Sequence, residues 1–268
     1  MAGTADEIAA TLRNQIHRGE LRPGDKLPTM DQLVEQYGVA RQTARQALAL
    51  LKNEGLAEYR AGRGMGTIVR ERPTTRMVRS RAMERDHLGY YSGASVQHWR
   101  VVPGTRTEVT TEPVPADVAA LLGVDAGTPL VVRRRMNGDP EIEQHRQLTD
   151  SWLHPAAVEA LPVLAGSSGL GGIYDRIEEW AKQPIIWHEE ITAATPSPTE
   201  ASALMLPPGV PLLRVIRTST VTIDRKQLVA EVNDIRMSAE LFSVAYQLSR
   251  RGAARWPVRP ASEDFYES

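Results

Sequence analysis

The sequence predicts a multidomain α/β protein: a helical front segment closed by a small β-hairpin, followed by a larger mixed α/β body. Three observations carry that expectation. Apolar residues recur at helical spacing in three short stretches before residue 55, and a glycine-rich run follows them. A helix-then-strand plan occurs twice in the second part, Leu130 of the first copy corresponding to Leu212 of the second. The charge also changes sign along the chain. Residues 1–85 hold 15 Lys or Arg against 10 Asp or Glu, and the remainder holds 17 against 23.

The chain has 268 residues, of which 41% are hydrophobic, enough for one large core or two modest ones and too much for disorder throughout. It contains no cysteine, which excludes a disulfide framework and a thiolate metal cluster and fits an intracellular setting. No apolar run reaches membrane-spanning length and the start is not signal-like, so a cytoplasmic location without a membrane partner is expected. The formal net charge of -1 looks unsuited to a nucleic-acid binder. Divided as above, however, the front is positive and the rear negative, so the front can approach phosphate while the body serves another contact or a regulatory task.

In the front segment, Ile8, Leu12 and Ile16 make one apolar helical face and Gly19 supplies a stop. Pro23, Gly24 and Pro28 punctuate the connection that follows. Thr29 and Gln32 then form a capping-box pattern for a second helix carrying Leu33 and Tyr37, which Gly38 ends. A third helix is expected over residues 40–53, closed by Gly55. Ala44, Ala47, Leu48 and Leu51 fall on its inner face; Gln42, Arg45, Ala49 and Lys52 fall on another side, with Arg41 one turn before Arg45. A short turn between the second and third helices is the pattern of a helix-turn-helix unit, whose second helix presents its amino-terminal residues to base edges or phosphates. After it, LAEYRAGRGMGTIV reads as two short extended runs around a turn of Gly62, Gly64 and Gly66, a projecting wing with Arg60 near its base and Arg63 at its tip. Arg63 there can neutralise phosphate or enter a minor groove.

The separated pieces PGDKLPT, GVARQTARQAL, EGL and GRGMGTIV, in that order over about residues 5–70, resemble the winged helix-turn-helix DNA-binding domain of the GntR family of bacterial transcription regulators. The resemblance implies a homodimer on double-stranded, pseudo-palindromic operator DNA. By that resemblance Arg41 and Arg45 are the main phosphate or base contacts, Gln42 and Thr43 add hydrogen bonds, Thr29 contacts phosphate while capping its helix, and Arg63, Gly64 and Gly66 belong to the wing. Ala40 stands where serine or threonine is commoner, which removes a hydroxyl contact and a helix cap. Asp31 and Gln32 lack the basic side chain sometimes found at the front of the second helix.

Residues 71–87 are rich in charge and poor in apolar residues, and read as a linker; its Arg76, Arg79, Arg81 and Arg85 are either solvated charge or phosphate-tracking. Beyond it, ALLGVDAGTPLVVRRRM and ASALMLPPGVPLLRVIRTST share one plan, with Arg135 corresponding to Arg217, and each precedes a further extended run, EIEQHRQLT and QLVAEVNDIRM. Two related halves around a mixed sheet are expected. DSWLHPAAVEALPVL and GIYDRIEEWAKQ are helical candidates, PIIWHEEITAAT is extended, residues 166–172 are a glycine-rich connection and residues 251–268 a polar tail.

The order of these pieces over residues 88–250 resembles the UTRA effector-binding domain of the HutC branch of the same family, an α/β sensor with a chorismate-lyase-like fold. It implies a small-molecule effector and no lyase chemistry. From side-chain reach, Arg133 and Arg135 share one face of a strand and can grip a carboxylate or phosphate. Glu143, expected on the partner strand after the NGDP turn, can orient a hydroxyl, an amine or an arginine. Tyr174 opens a helix beside Gly171 and Gly172, where backbone donors can receive an anion. Arg217 and Glu231 are second-half candidates. Gly172 replaces a hydroxyl residue often found ahead of the helix aromatic, and NDIRMSAELF departs from the family's usual tyrosine, arginine and aspartate run.

No compact HExxH, serine elbow or phosphate-loop pattern occurs, so no catalytic residue, metal site or cofactor is expected. The expected function is a ligand-responsive DNA-binding repressor, its effector polar or anionic. The alternatives are a constitutive architectural DNA binder and a DNA-binding head fused to a ligand-transforming enzyme.

Overall fold

The computed structural model describes residues 3–62, 66–80, 82–86, 89–91, 96–166 and 172–248. Arg63, Gly64, Arg81, Gly171 and the tail from residue 251 lie outside the described residues.

Three helices form first: α1 (Ala5–His17), α2 (Met30–Tyr37) and α3 (Arg41–Asn53). Thr4 with Glu7 and Thr29 with Gln32 make reciprocal capping boxes at the starts of α1 and α2, each cap contributing about 1 kcal/mol. Gly38 ends α2 in the left-handed region at φ 64°. Ile8, Leu12, Leu33, Ala44, Ala47 and Leu51 are buried together, and the two alanines let α3 lie close against α1. Arg13 Nε at 2.7 Å from Glu54 ties the two helices at one end. The wing follows as β1 (Ala57–Arg60) and β2 (Gly66–Val69), antiparallel with Arg60 opposite Gly66.

The stretch read as a linker is partly structured. It contains β3 (Met77–Arg79) and β4 (Glu84–Asp86), the latter paired with β5 (Gly89–Tyr91). Three of its arginines bond to the body: Arg76 Nε donates to the Glu240 carbonyl, Arg79 pairs with Glu189 and Arg85 with Asp175. Ion pairing of Arg79 and Arg85 with carboxylates of the body accounts for part of the charge density that composition left open between solvation and phosphate contact.

The body is a seven-stranded antiparallel sheet. Its strands are β6 (Arg100–Val101), β7 (Glu108–Pro113), β8 (Pro129–Gly138), β9 (Arg146–Leu153), β10 (Ile186–Ala194), β11 (Leu212–Ile223) and β12 (Lys226–Ser238). Their order is β10-β11-β12-β9-β8-β6, with β7 also on β8. The expected repeat is the pair of hairpins β8–β9 and β11–β12, which meet along β9 and β12 with Asp150 opposite Asp234. Short helices α4 (Ala116–Leu122) and α7 (Pro198–Ala203) precede the two hairpins. Helices α5 (Pro155–Ala160) and α6 (Gly172–Ala181) complete the body, and β13 (Phe242–Val244) pairs in parallel with β3.

Alternation along these strands gives the sheet two different faces. On one, Val118 and Leu122 of α4 pack on Val132, Trp152 and Val232, beside a charge network in which Arg236 meets Asp150 at 2.7 Å and Glu200 at 2.9 Å. On the other, Ile177 of α6 packs with Leu153 and Ala230, a second apolar cluster joins Val215, Ile235 and Met237 to Trp99 and Phe242, and a polar stretch with Arg217 and Asn233 lies between them. Two expectations are corrected here. The strand expected over EIEQHRQLT begins only at Arg146, so Glu143 lies in the β8–β9 turn, exposed and paired with Arg146 at 2.7 Å. Residues 150–153 belong to β9, and the helix expected from there begins at Pro155.

Candidate nucleic-acid interface and ligand cavity

The leading turn of α3 is uncapped, because Ala40 at φ -67°, ψ 148° has the backbone of an N-cap and no side chain to bond. Arg41, Gln42 and Arg45 project from that turn into solvent, and Thr43 is half-buried. Arg41 lies 3.4 Å from Asp31, a pair whose side chains are 68% and 75% exposed and which contributes little. Arg45 has no carboxylate partner among the described residues. The Thr29 hydroxyl accepts from the Gln32 N–H at 3.3 Å, which leaves its own hydrogen to donate outward. Between α3, the start of α2 and the wing runs a crease of about 430 Å³ lined by Thr29, Arg45, Lys26, Lys52 and Tyr59. Tyr59 is 68% exposed, with Lys52 Nζ 5.6 Å from its ring centroid. Gly66 opens β2, while Arg63 and Gly64 lie outside the described residues. Arg60, by contrast, is paired with Glu58 at 2.9 Å and Glu71 at 3.6 Å.

The polar face of the large sheet forms one wall of a cavity of about 400 Å³. Arg135 of β8, Thr149 of β9, Asn233 of β12 and Arg217 of β11 line it from the sheet; Tyr174 of α6, Trp99 and Arg79 of β3 close it. Glu189 stands between two guanidiniums, its Oε1 2.6 Å from Arg79 Nη2 and 2.7 Å from Arg217 Nε. Burial alone would raise its carboxyl, but the charges of Arg217 and Arg79 outweigh that and hold it below the usual carboxylate range. Arg79 is shifted down by burial and by the like charge of Arg217, against the pull of Glu189. Arg135 reaches only Ser151 Oγ, at 3.3 Å, and no carboxylate among the described residues.

Arg133 sits behind this wall, where its Nη1 donates to the carbonyls of Leu164 and Gly166. It therefore holds the chain leading toward α6 and is not itself a lining residue. Glu231 is fully buried, with Oε2 accepting from Ser219 Oγ at 2.8 Å. Burial and the Glu231 charge push the Tyr174 phenol up, so it is a protonated donor at neutral pH. Around the cavity, Arg79 Nε, Trp99 Nε1, Arg133 Nε, Thr149 Oγ1, Tyr174 OH, Glu231 Oε1 and Asn233 Oδ1 are all buried without a well-formed hydrogen bond. Such groups are rare in a closed core, and here five of them, on Arg79, Trp99, Thr149, Tyr174 and Asn233, belong to residues that line one cavity, with both donors and acceptors among them.

The chain matches the family model "Bacterial regulatory proteins, gntR family" over residues 4–66 and the UTRA domain model over residues 107–243. HTH-type transcriptional regulator Rv0792c of Mycobacterium tuberculosis is 30% identical to it, covering 89% of this chain and 84% of that protein. This chain belongs to the GntR family. HTH-type transcriptional repressor NagR of Bacillus subtilis is 29% identical over 80% of this chain and 82% of its own length. A crystal structure of a GntR-family transcriptional regulator superposes with a TM-score of 0.62 at 26% identity, covering 92% of this chain and 98% of that one.

The protein is thus a DNA-binding transcriptional regulator with an amino-terminal GntR helix-turn-helix domain and a carboxyl-terminal UTRA effector-binding domain. In this GntR-family regulator the structure brings Arg135, Tyr174 and Arg217 to one cavity, with Arg133 and Glu231 behind its wall, and sends Glu143 elsewhere. Sequence reasoning missed Arg79, Trp99, Thr149 and Asn233. Arg79 was hidden because it sits in a charged stretch with no apolar periodicity. Asn233 had a usable signal, two positions after Glu231 on the same strand face. Among the described residues no helix is long and apolar enough to cross a membrane, and no group of three or more His, Cys, Asp or Glu is arranged to hold a metal ion.

Proposed function

We propose that this regulator is a dimeric repressor that binds operator DNA through Thr29, Arg41, Gln42, Thr43, Arg45 and the wing residues Arg63, Gly64 and Gly66, and leaves it when a small polar anion enters the cavity. The observation that carries this reading is the polar cavity itself. Five guanidiniums (Arg79, Arg100, Arg133, Arg135 and Arg217) lie in or behind its walls against three carboxyls (Asp86, Glu189 and Glu231), in the same chain as an α3 whose arginines face solvent. An excess of positive charge favours a ligand that brings negative charge, and the buried Asn233 oxygen on the cavity wall favours one that also carries hydroxyl or amine donors. NagR, named a repressor, supports the direction of control.

Residues 1–70 serve as the DNA-binding domain and residues 88–250 as the effector-binding and dimerisation domain, in a cytoplasmic protein that binds its ligand without transforming it. Dimerisation supplies two recognition helices to two half-sites, the arrangement that a single short helix needs for adequate affinity. The test is release of a recovered operator in a panel of small hydroxylated or aminated anions. One member should displace the wild-type chain and fail to displace Arg135→Ala, which still binds the operator. A panel member that displaces both equally removes Arg135 from the site. Equal turnover of the displacing compound with and without protein is the expected result; product formation would favour the enzyme alternative.

A further inference from the structure

The end of α3 opposite its DNA-facing turn is gripped by the body. Gly55, at φ 67°, closes the helix with its N–H on the Lys52 carbonyl and the Leu56 N–H on Leu51, a Schellman turn. Arg70 Nε donates to the Gly55 carbonyl at 2.8 Å. Its two terminal nitrogens donate to the two oxygens of Glu240 at 2.6 and 2.7 Å, with side-chain exposures of only 4% and 12%. Arg76 Nε bonds the Glu240 backbone carbonyl at 3.1 Å.

A second contact lands on the same place. Gly209, in the loop between α7 and β11, has φ 77°, and a Cβ built on it would lie 2.4 Å from the Asn53 carbonyl oxygen and 2.7 Å from the Gly55 nitrogen. Only a glycine lets that loop's backbone rest on the helix end.

Both segments that form the Arg70–Glu240 pair are continuous with cavity walls. Strand β12 carries Asn233 and Ile235 along the cavity and runs into the turn that holds Glu240. Strand β3, which carries Arg79, follows Arg70 and is bonded to that turn through Met77 N–H and the Leu241 carbonyl at 2.8 Å.

We propose that Glu240 and Arg70, seated against Gly209, are positioning residues that fix the orientation of the recognition helix relative to the UTRA domain and thereby make the regulator read the spacing between its half-sites. The bidentate fork sets an angle as well as a distance, which a single-point contact does not. In a dimer, heads locked to their bodies hold their two α3 helices at one separation, so DNA with another spacing binds through one head only. The proposal rests on the reading of the protein as an operator-binding dimer.

The test uses the full chain and synthetic duplexes. Half-sites are first recovered from a random-sequence DNA library; affinities are then measured for two half-sites at the selected spacing, at spacings altered by a few base pairs, and for one half-site alone. Wild type should lose at least about tenfold in affinity off-spacing, and Glu240→Gln, Arg70→Lys and Gly209→Ala should reduce that loss to less than about threefold. Their single half-site affinity should be unchanged, which also reports an intact fold. Variants that bind one half-site normally and keep the full wild-type spacing penalty overturn the proposal.

The chain has no cysteine, so spin labels at Gln46→Cys in α3 and Glu159→Cys in α5 give a second readout in molecules diluted with unlabelled chain. The wild-type label-to-label distance should be narrowly distributed and should broaden with Glu240→Gln; identical distributions overturn the positioning role. A wild type that recovers no DNA overturns the DNA reading instead, and the distance measurement still decides for or against Glu240.

Discussion

The recognition helix and the cavity both depend on arginine, and they set it in opposite environments. Arg41 and Arg45 stand in solvent, one beside a well-exposed aspartate and the other beside no acid among the described residues. Arg79 and Arg217 are buried around a shared Glu189, with Tyr174 and Asn233 close by. On the proposed function, the difference follows from what each must meet. DNA arrives with dense charge and displaces counterions, so its contacts need reach and freedom more than prior order. A small ligand brings one or two charges and must be recognised by groups already desolvated and aimed, so its arginines are preassembled on a carboxylate. The first kind of contact is screened by salt; the second resists it.

The largest expected effect breaks the exposed set. Arg41→Ala with Arg45→Ala should weaken operator binding by about two to three orders of magnitude, with the melting temperature unchanged, since each phosphate or base contact contributes about 1–3 kcal/mol. The slope of log affinity against log salt should fall by about 2 in the same variant. Retention of the wild-type slope would show that neither side chain meets phosphate.

The buried set should respond in stability. Glu189→Gln removes the carboxylate that Arg79 and Arg217 share and should destabilise the UTRA domain by about 3–5 kcal/mol at neutral pH, measured by denaturant unfolding. The sign of its pH dependence follows from the lowered carboxyl. A group whose folded-state pKa lies below its unfolded value contributes stability that is fully present above the unfolded carboxylate range, about pH 4.3, and lost as pH falls through the folded value. The gap between wild type and Glu189→Gln should therefore stay constant from pH 7 to 5 and close below pH 4. A gap that widens on acidification would mean that the carboxyl is raised.

How much of this was visible beforehand depends on how local the cause is. The capping boxes at Thr4 and Thr29, the inward Ala44 and Ala47, and the bare N-cap at Ala40 are matters of residues within a turn or two of each other; pattern alone placed the Thr29 box and the two alanines, and the family resemblance pointed to the missing cap. The repeat between β8–β9 and β11–β12 was legible because Leu130 and Leu212 carry the same motif. The cavity was legible only in part. Arg135 and Arg217 could be paired through that repeat, but Arg79 reaches the site through β3, whose partner β13 lies far along the chain. Glu143 failed for a local reason: the strand begins at Arg146, five residues later than expected, and the side chain turned to Arg146.

The smallest effect sharpens the exposed side of the comparison. Ala40 already has N-cap backbone geometry, so Ala40→Ser should stabilise the protein by about 0.5–1 kcal/mol through a new bond to the first turn of α3. Thermal unfolding checks it, and no gain would mean that the turn's N–H groups are satisfied by other means.

The central claim is that one chain joins a DNA reader to a ligand cavity, and the most direct measurement addresses the reader. Genomic fragments captured by the full chain should yield one enriched site with two inverted halves, bound tightly by wild type and about a hundredfold or more weaker by the Arg41→Ala, Arg45→Ala variant. Enrichment of no shared sequence, or equal affinity of wild type and variant for the recovered site, would contradict the account.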